Sequence, residues 1–216
     1  MQTGTHWMPA RGEPTLTLLL RHGQTPMSAQ KRYAGRSDVP LTDVGVQQAA
    51  AAAKRLASAG LDVIVTSPLL RAVQTAEEVA AATGATVVTD DGFREADFGA
   101  WEGLTFAEVQ ERWPAEMAAW LADPEVAPPG GESLAGVNER VTAALRRVLA
   151  ARERQTVLVV SHVTPIKTLV AAALLAPPAA LYRMHLDVAA LSRIDWYADG
   201  PAVLRSFNDT GHLADE

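Results

Sequence analysis

Three short apolar segments of the sequence end next to side chains that can bind or attack a phosphoryl group. Arg21 and His22 directly follow the first segment, Arg71 comes shortly after the second, and His162 follows the last. Short apolar runs with such abrupt polar ends are typical of the buried strands of a parallel sheet. Because ligands of α/β folds bind beyond the carboxyl ends of the strands, we expect these four side chains to lie close together.

Two arginines, two histidines and the free N–H groups of nearby helix starts would suit a dianion, most simply a phosphoryl group. The arginine fork can bind two phosphate oxygens and always carries its charge. A single histidine after an apolar run is more often structural than catalytic. The prediction therefore depends on the joint occurrence of the four residues, and their spacing alone does not identify a reaction.

Strands that alternate with helices would position these groups. The predicted strands are 15–20, 62–66, 85–88, 156–160, 189–197 and 203–207. The predicted helices are 42–60, 68–83, 105–121 with a break at Pro114, 133–152, and 165–176 with Pro165 as the first helical residue. Residues 24–41 show no helical period and are predicted to form a loop. The alternation indicates a three-layer α/β/α fold with a largely parallel central sheet.

The composition is that of a globular protein rather than a disordered one. The 216 residues are 48% hydrophobic and 20% charged, and the formal net charge is −6. This acidic balance argues against binding of nucleic acid or of a membrane surface, so local arginines would have to hold an anionic substrate. The chain has no cysteine, which excludes disulfides and a cysteine nucleophile and fits a cytoplasmic location.

A series of ordered motifs resembles the histidine phosphatase superfamily, which has the phosphoglycerate-mutase-like fold. The motifs are RHGQT at 21–25, G..D.PLT..G at 35–45, SPL.RA.QTA at 67–76, E..FG.WEG at 95–103, PPGGES at 128–133 and SH at 161–162. Within the superfamily, the short chain and PPGGES resemble the alpha-ribazole phosphatase branch. The segment SHVTP at 161–165 is similar to the corresponding segment in the phosphatase half of actinobacterial bifunctional ribonuclease H/acid phosphatases.

The resemblance implies a division of the chain and a set of partners. Residues 1–14 would be a tail or interdomain linker, and 15–213 the histidine phosphatase domain. The ligand would be a small phosphomonoester, with no membrane and no nucleic acid bound by this domain. The full-length protein would carry a fused ribonuclease H domain.

The resemblance also implies residue roles. His22 would attack phosphorus, Glu95 would serve as acid and base, and Arg21, Arg71 and His162 would bind the phosphate. Four further residues are assigned to the phosphate-binding set: Gln24, Thr25, Ser28 and Val163. Ser28 stands where the family often has an asparagine that touches phosphate. No metal ion or other cofactor is implied.

The residues alone do not distinguish Glu95 from Asp97 or Glu102 as the acid, and the family motif favours Glu95. Trp101 lies in the same predicted loop and is assigned to substrate binding. Four aromatic residues fall within 101–131, namely Trp101, Phe106, Trp113 and Trp120. A lid formed by this segment would stack on a flat ring.

These features predict a metal-independent phosphomonoesterase with a phosphohistidine intermediate. The substrate is predicted to be alpha-ribazole 5′-phosphate, or several phosphates in the manner of a broad acid phosphatase. Two other interpretations are a phosphotransferase of the phosphoglycerate mutase type and a non-catalytic domain that binds phosphorylated ligands.

Overall fold

The computed structural model describes residues 12–213 and contains a six-stranded sheet. The strands are β1 (Thr15–Arg21), β2 (Val63–Thr66), β3 (Thr86–Thr89), β4 (Thr156–Ser161), β5 (Leu191–Trp196) and β6 (Ala202–Asp209). Their order is β3-β2-β4-β1-β5-β6. The pairs β2–β3, β2–β4 and β1–β4 are parallel, whereas β5 and β6 join antiparallel at one side. The largely parallel sheet of the sequence prediction is thus confirmed.

Seven α-helices connect the strands in the described part of the chain. They are α1 (Pro26–Ala29), α2 (Asp43–Leu56), α3 (Leu70–Thr83), α4 (Phe106–Arg112), α5 (Pro114–Ala122), α6 (Leu134–Ala151) and α7 (Val163–Ala173). Short 3₁₀ turns lie at Asp91–Phe93, Gly99–Trp101, Pro178–Arg183 and Gly211–Leu213. Thr42 and Ser133 cap α2 and α6 through their side-chain oxygens, as their positions in the sequence predict.

Alternating side chains of the central strands pack into two separate cores, one on each face of the sheet. In β4, Val157 and Val159 face the core that also contains α6 and α7 residues, while Leu158 and Val160 face the core of α2 and α3. This period of two buries both faces of the sheet, which is why the strands are almost continuously apolar. The arrangement is the predicted three-layer sandwich.

Two local predictions are wrong. Helix α7 begins at Val163, so Pro165 is its third residue rather than its first. Proline fits there because N–H groups of the first turn have no partner within the helix. The predicted loop 24–41 contains α1, a single turn that Thr25 and Ser28 close with reciprocal side-chain hydrogen bonds.

Candidate active site

The central strands β1 and β4 end at the same level of the sheet. Their register pairs Arg21 with Ser161, and the His22 backbone N–H donates to the Ser161 carbonyl at 3.1 Å. His22 and His162 therefore leave neighbouring strands together, and their ring centroids lie 5.1 Å apart. Both side chains are buried.

The loop after His22 packs directly against the start of α2. A Cβ atom on Gly23 would lie 2.3 Å from the Gly45 carbonyl oxygen, and one on Gly45 would lie 2.1 Å from the Gln24 carbonyl oxygen. Only glycine permits this approach at either position. The Gly23 N–H also donates to the Thr75 hydroxyl of α3, so two helices hold the backbone next to His22.

His22 is held as a neutral imidazole with a free nitrogen. Its Nδ1 lies 2.7 Å from the Gly23 carbonyl oxygen. A carbonyl oxygen only accepts hydrogen bonds, so Nδ1 carries the proton and Nε2 presents a lone pair. Burial, reinforced by the charges of Arg21 and Arg71, holds the His22 pKa well below its usual value. This state of the ring is the one a nucleophile requires.

His162 is oriented by a hydroxyl group. Its Nε2 lies 2.7 Å from Ser67 Oγ, and that oxygen accepts the Leu69 N–H at 3.3 Å. Ser67 can therefore donate its hydroxyl proton to Nε2, which leaves the His162 proton on Nδ1. Nδ1 is buried without a partner among the described residues. Burial also lowers the His162 pKa well below its usual value, with Arg71 and His22 adding to the effect.

Arg71 is fixed by three backbone carbonyl groups. Its Nη1 donates to the Ser37 carbonyl at 2.8 Å, and its Nη2 donates to those of Ala34 and Gly35 at 2.9 and 3.1 Å. The side chain is 1% exposed, and burial lowers its pKa. Its Nε has no partner in the described chain.

Arg21 carries a second buried donor of this kind. Its Nη1 donates to the Leu186 carbonyl at 2.7 Å, while its Nε is unpartnered among residues 12–213. Burial lowers the Arg21 pKa to about 10, against the opposing influence of Glu95 and Asp187. A buried donor without a partner costs roughly 1–3 kcal/mol. An anion bound next to His22 would relieve that cost for Arg21, Arg71 and His162.

Glu95 reaches the same site from the loop after β3. Its side chain is 5% exposed. Oε1 accepts the Ala96 N–H at 2.7 Å, and both carboxylate oxygens lie 3.3 Å from the Thr164 N–H at the start of α7. The carboxyl group is therefore aimed at the end of β4 and not at bulk solvent.

The two other acid candidates have structural roles. Asp97 accepts the Gly99 N–H at 2.9 Å and pairs with Arg36 at 3.4 Å. Glu102 accepts the Gly35 N–H and the Ser37 hydroxyl, both at 2.7 Å. Neither carboxylate lines the cleft described below. Of the three, only Glu95 lines the cleft.

The loop that carries Glu95 is held by an arginine in α6. Arg140 pairs with Glu132 through two hydrogen bonds of 3.0 and 2.7 Å. Its Nη1 also donates to the carbonyls of Gly92 and Arg94, both at 3.0 Å. Glu132 of the PPGGES motif is thus linked to the Glu95 loop through Arg140, without reaching the cleft itself.

A cleft of about 750 Å³ opens in front of these groups. Seven of the predicted site residues line it, namely Arg21, His22, Gln24, Thr25, Ser28, Glu95 and Val163. Arg71 and His162 are not among the lining residues; both are buried next to His22. Gln24 accepts the Thr42 hydroxyl at 2.9 Å, which ties the cleft wall to the cap of α2.

The assignment of Trp101 to the cleft is wrong. The side chain is 0% exposed and belongs to the core. Its ring packs edge-on against Trp120, with centroids 5.6 Å apart. The 3₁₀ turn at Gly99–Trp101 places the ring in the interior, where burial of a large aromatic surface is favourable.

Other aromatic residues line the cleft instead. Phe106 and Tyr182 are 47% and 44% exposed at its rim, and Trp120 lies deeper at 8%. Phe106 and Trp120 belong to the predicted 101–131 segment, whereas Tyr182 comes from the 3₁₀ turn after α7. No pattern in the sequence indicates Tyr182.

Lys167 is a cleft residue that the sequence prediction also missed. It follows Val163 by one helical turn, and residues four apart lie on one face of a helix. Since Val163 was already assigned to the site, this spacing was a signal that could have identified Lys167.

Residues 12–213 contain neither a membrane-spanning helix nor a cluster of metal-binding side chains. No helix there is long and apolar enough to span a membrane. The same residues include no group of three or more His, Cys, Asp or Glu that could hold a metal ion.

Comparison with known proteins gives one family and several relatives. The model of the histidine phosphatase superfamily (branch 1) matches residues 17–210. The chain is 51% identical over 212 residues to the bifunctional protein Rv2228c of Mycobacterium tuberculosis, a match that covers 98% of this chain and 58% of that relative. It is 37% identical over 205 residues to a proposed phosphoglycerate mutase, GpmB of Proteus mirabilis, covering 91% of this chain and 94% of the relative.

Two solved structures show the same fold. The mycobacterial glucosyl-3-phosphoglycerate phosphatase Rv2419c, solved with VO3, is 31% identical and superposes with a TM-score of 0.83 over 91% of this chain and 100% of that one. A proposed alpha-ribazole-5′-P phosphatase of Escherichia coli is 28% identical, with a TM-score of 0.83 over 91% of this chain and 97% of that one.

Proposed function

The chain belongs to the histidine phosphatase superfamily (branch 1), and on that premise we propose that it hydrolyses phosphate monoesters through a phosphohistidine, without a metal ion. The observation that carries the proposal is a neutral nucleophile beside unpartnered donors. His22 presents its Nε2 lone pair, while Nε of Arg21, Nε of Arg71 and Nδ1 of His162 lack partners in the described chain. A phosphate group would satisfy these donors.

In the first step His22 Nε2 attacks phosphorus and the bond to the ester oxygen breaks. Glu95 acts as the general acid and gives a proton to the leaving oxygen. The two arginines and His162 hold the non-bridging oxygens and stabilise the charge that they carry in the transition state. The products of this step are the free alcohol and N-phosphorylated His22.

In the second step water attacks the phosphohistidine. Glu95, now a carboxylate, takes a proton from the water as the new P–O bond forms and the P–N bond breaks. His22 returns to its neutral form, because burial and two neighbouring arginines disfavour the imidazolium ion. Inorganic phosphate leaves, and Glu95 is again protonated for the next cycle.

Trapping of the intermediate tests this proposal. Reaction with a ³²P-labelled ester, quenched in base because N–P bonds are acid-labile, should leave label on the parent protein and none on His22→Ala. A folded parent protein that turns over esters with no labelled intermediate would contradict the mechanism. Binding of phosphate without any turnover would instead favour the non-catalytic interpretation.

For the substrate, we propose a phosphate ester with a bulky leaving group. The support is the aromatic rim of the cleft, with Phe106 and Tyr182 exposed for stacking. Alpha-ribazole 5′-phosphate, which carries a flat ring on its ribose, is the ring-bearing candidate. Ribose 5-phosphate lacks only the ring, so the ratio of the two kcat/KM values measures its contribution. A ratio near one would favour a broad acid phosphatase.

A mutase-type phosphotransferase is the second candidate, favoured by the likeness to the proposed mutase of Proteus mirabilis. In that reaction the phosphohistidine would pass its phosphoryl group to a second hydroxyl instead of to water. Incubation with 3-phosphoglycerate separates the two by ³¹P NMR. Accumulation of 2-phosphoglycerate indicates transfer, whereas inorganic phosphate indicates hydrolysis.

We also propose that the full-length protein carries a fused ribonuclease H domain. The chain spans little more than half of the bifunctional relative, at 58% of its length. Mass spectrometry of the native protein tests the proposal, because peptides from a fused domain would appear in the same band. A native protein of 23.0 kDa, the mass of this chain, would contradict it.

A further inference from the structure

The wall of the cleft contains a half-buried cation that the proposed mechanism does not use. Lys167 lies in α7 and lines the cleft together with Val163 and Thr164. Its ammonium group makes neither a hydrogen bond nor an ion pair with residues 12–213, and the residue lines the cleft. Burial lowers the Lys167 pKa, while the nearby Glu95 carboxylate raises it. Removing a charge from water is unfavourable unless a partner replaces the lost hydration.

The other cations of the cleft already have partners or lie in solvent. Arg32 binds the Glu108 carboxylate at 2.9 Å and the Gly103 carbonyl at 2.8 Å. His185 pairs with Asp187 at 2.8 Å. Lys31 lines the rim but is exposed. Arg21 is assigned to the phosphate. Among the cleft cations of the described chain, Lys167 is therefore the half-buried one to which the proposed mechanism gives no role.

The position of Lys167 relates it to the leaving group. The Thr164 N–H contacts both oxygens of Glu95, and Lys167 follows Thr164 by almost one turn of α7. Lys167 therefore lies beside the acid that would protonate the leaving oxygen. The leaving oxygen faces away from His22 in an in-line displacement, so a substituent on the alcohol would extend past Glu95 toward this lysine.

We propose that Lys167 binds a carboxylate on the leaving alcohol, so that the enzyme prefers phosphate esters of hydroxy acids over those of neutral alcohols. The proposal rests on the phosphatase function proposed above. A single ammonium group matches one carboxylate, whereas a second phosphate would favour an arginine fork. Alpha-ribazole 5′-phosphate has a neutral leaving group and, on this inference, ranks below an acid-bearing ester.

A role for Lys167 through Glu95 would have a different signature. A lysine that only adjusted the protonation of Glu95 would affect all esters with similar leaving oxygens alike. A carboxylate-binding lysine affects only the esters that carry the acid. The selectivity between two otherwise similar substrates therefore separates the two roles.

The test compares 3-phosphoglycerate with glycerol 3-phosphate, which differ by a carboxylate in place of a hydroxymethyl group. The parent protein should favour 3-phosphoglycerate in kcat/KM by about 10-fold or more, as expected for a hydrogen-bonded charge pair. Lys167→Met should bring the ratio close to one, and Lys167→Arg should retain most of it. Lys54→Met, which changes an exposed lysine of α2, is the control and should keep the parent ratio.

Two outcomes would overturn the inference. One is a parent ratio near one, and the other is a Lys167→Met protein that loses activity on both esters equally. Either would leave the phosphatase proposal intact, provided that the parent turns over p-nitrophenyl phosphate. Absence of turnover on every ester would instead contradict the proposed function.

Discussion

Glu102 holds in place the backbone that binds Arg71. Its carboxylate accepts the Gly35 N–H and the Ser37 hydroxyl, and the carbonyl groups of the same two residues accept hydrogen bonds from the Arg71 guanidinium. Glu102 of the WEG motif is thus linked to Arg71 of the SPL motif through the loop at 35–37, which belongs to neither of these two motifs. This link connects a carboxylate outside the cleft to an arginine whose charge acts on His22.

Glu102→Gln should therefore weaken catalysis through Arg71 rather than through proton transfer. The amide keeps the shape but loses the charge that strengthens these hydrogen bonds, which are worth roughly 1.5–3 kcal/mol each when one partner is charged. We expect a similar proportional fall in kcat/KM for esters with good and with poor leaving groups. A selective loss on poor leaving groups would make Glu102 the acid instead of Glu95.

Arg71→Ala should lower kcat/KM by roughly 10- to 150-fold, since it removes a charge-assisted contact to the phosphate. Lys54→Ala on the exposed face of α2 should change it little. Thermal melts of both proteins check that the loss does not come from unfolding, because Arg71 also satisfies three carbonyl groups. If both variants are folded and their kcat/KM values fall equally, Arg71 is not part of the site.

Glu95→Gln should slow esters with poor leaving groups far more than p-nitrophenyl phosphate. The amide cannot supply a proton, and p-nitrophenolate leaves with little help whereas a sugar alkoxide requires protonation. The measurement is the mutant-to-parent ratio of the first-step rate for p-nitrophenyl phosphate and for a sugar phosphate. If both substrates slow by the same factor, Glu95 only positions the ester.

Stability should fall as the pH is lowered below about 6.5, the ordinary histidine pKa. The pKa values of His22 and His162 are held well below that value by burial. Below pH 6.5 the two histidines bind protons in the unfolded chain but remain neutral in the folded protein. Acid therefore lowers the free energy of unfolding, by at most about 1.4 kcal/mol per pH unit for each histidine.

Urea unfolding of the parent at pH 7 and pH 5 measures this effect. The double variant His22→Gln, His162→Gln should show a smaller difference between the two pH values. His185→Gln, which changes an exposed histidine, serves as the control and should behave like the parent. A double variant with the full pH dependence of the parent would show that other groups cause it.

Prolonged incubation with EDTA should leave turnover of p-nitrophenyl phosphate unchanged. In the proposed mechanism the charge of the phosphoryl group is balanced by Arg21, Arg71 and His162. The assay is run before and after chelation, with magnesium and zinc added back separately. Activity that is lost on chelation and restored by one ion would contradict this mechanism.

Much of the fold could be predicted because its signals are local. Each parallel strand is an almost unbroken apolar run that ends abruptly in polar residues, and the capping residues Thr42 and Ser133 stand next to clear helical periods. The convergence of Arg21, His22 and His162 follows from parallel strands alone, since neighbouring strand ends share one edge of the sheet.

Loop packing, in contrast, depends on residues far apart in the chain, and only the tertiary structure decided it. The sequence alone placed Glu95, Asp97 and Glu102 in one loop. In the structure the Glu102 carboxylate accepts a hydrogen bond from the Gly35 N–H, 67 positions earlier in the chain. Trp101 stands in the same loop and turns into the core against Trp120. Whether such a ring lies in the cleft or in the core depends on which neighbouring surfaces can bury it. The sequence of this loop has no period, so it carries no information about those surfaces.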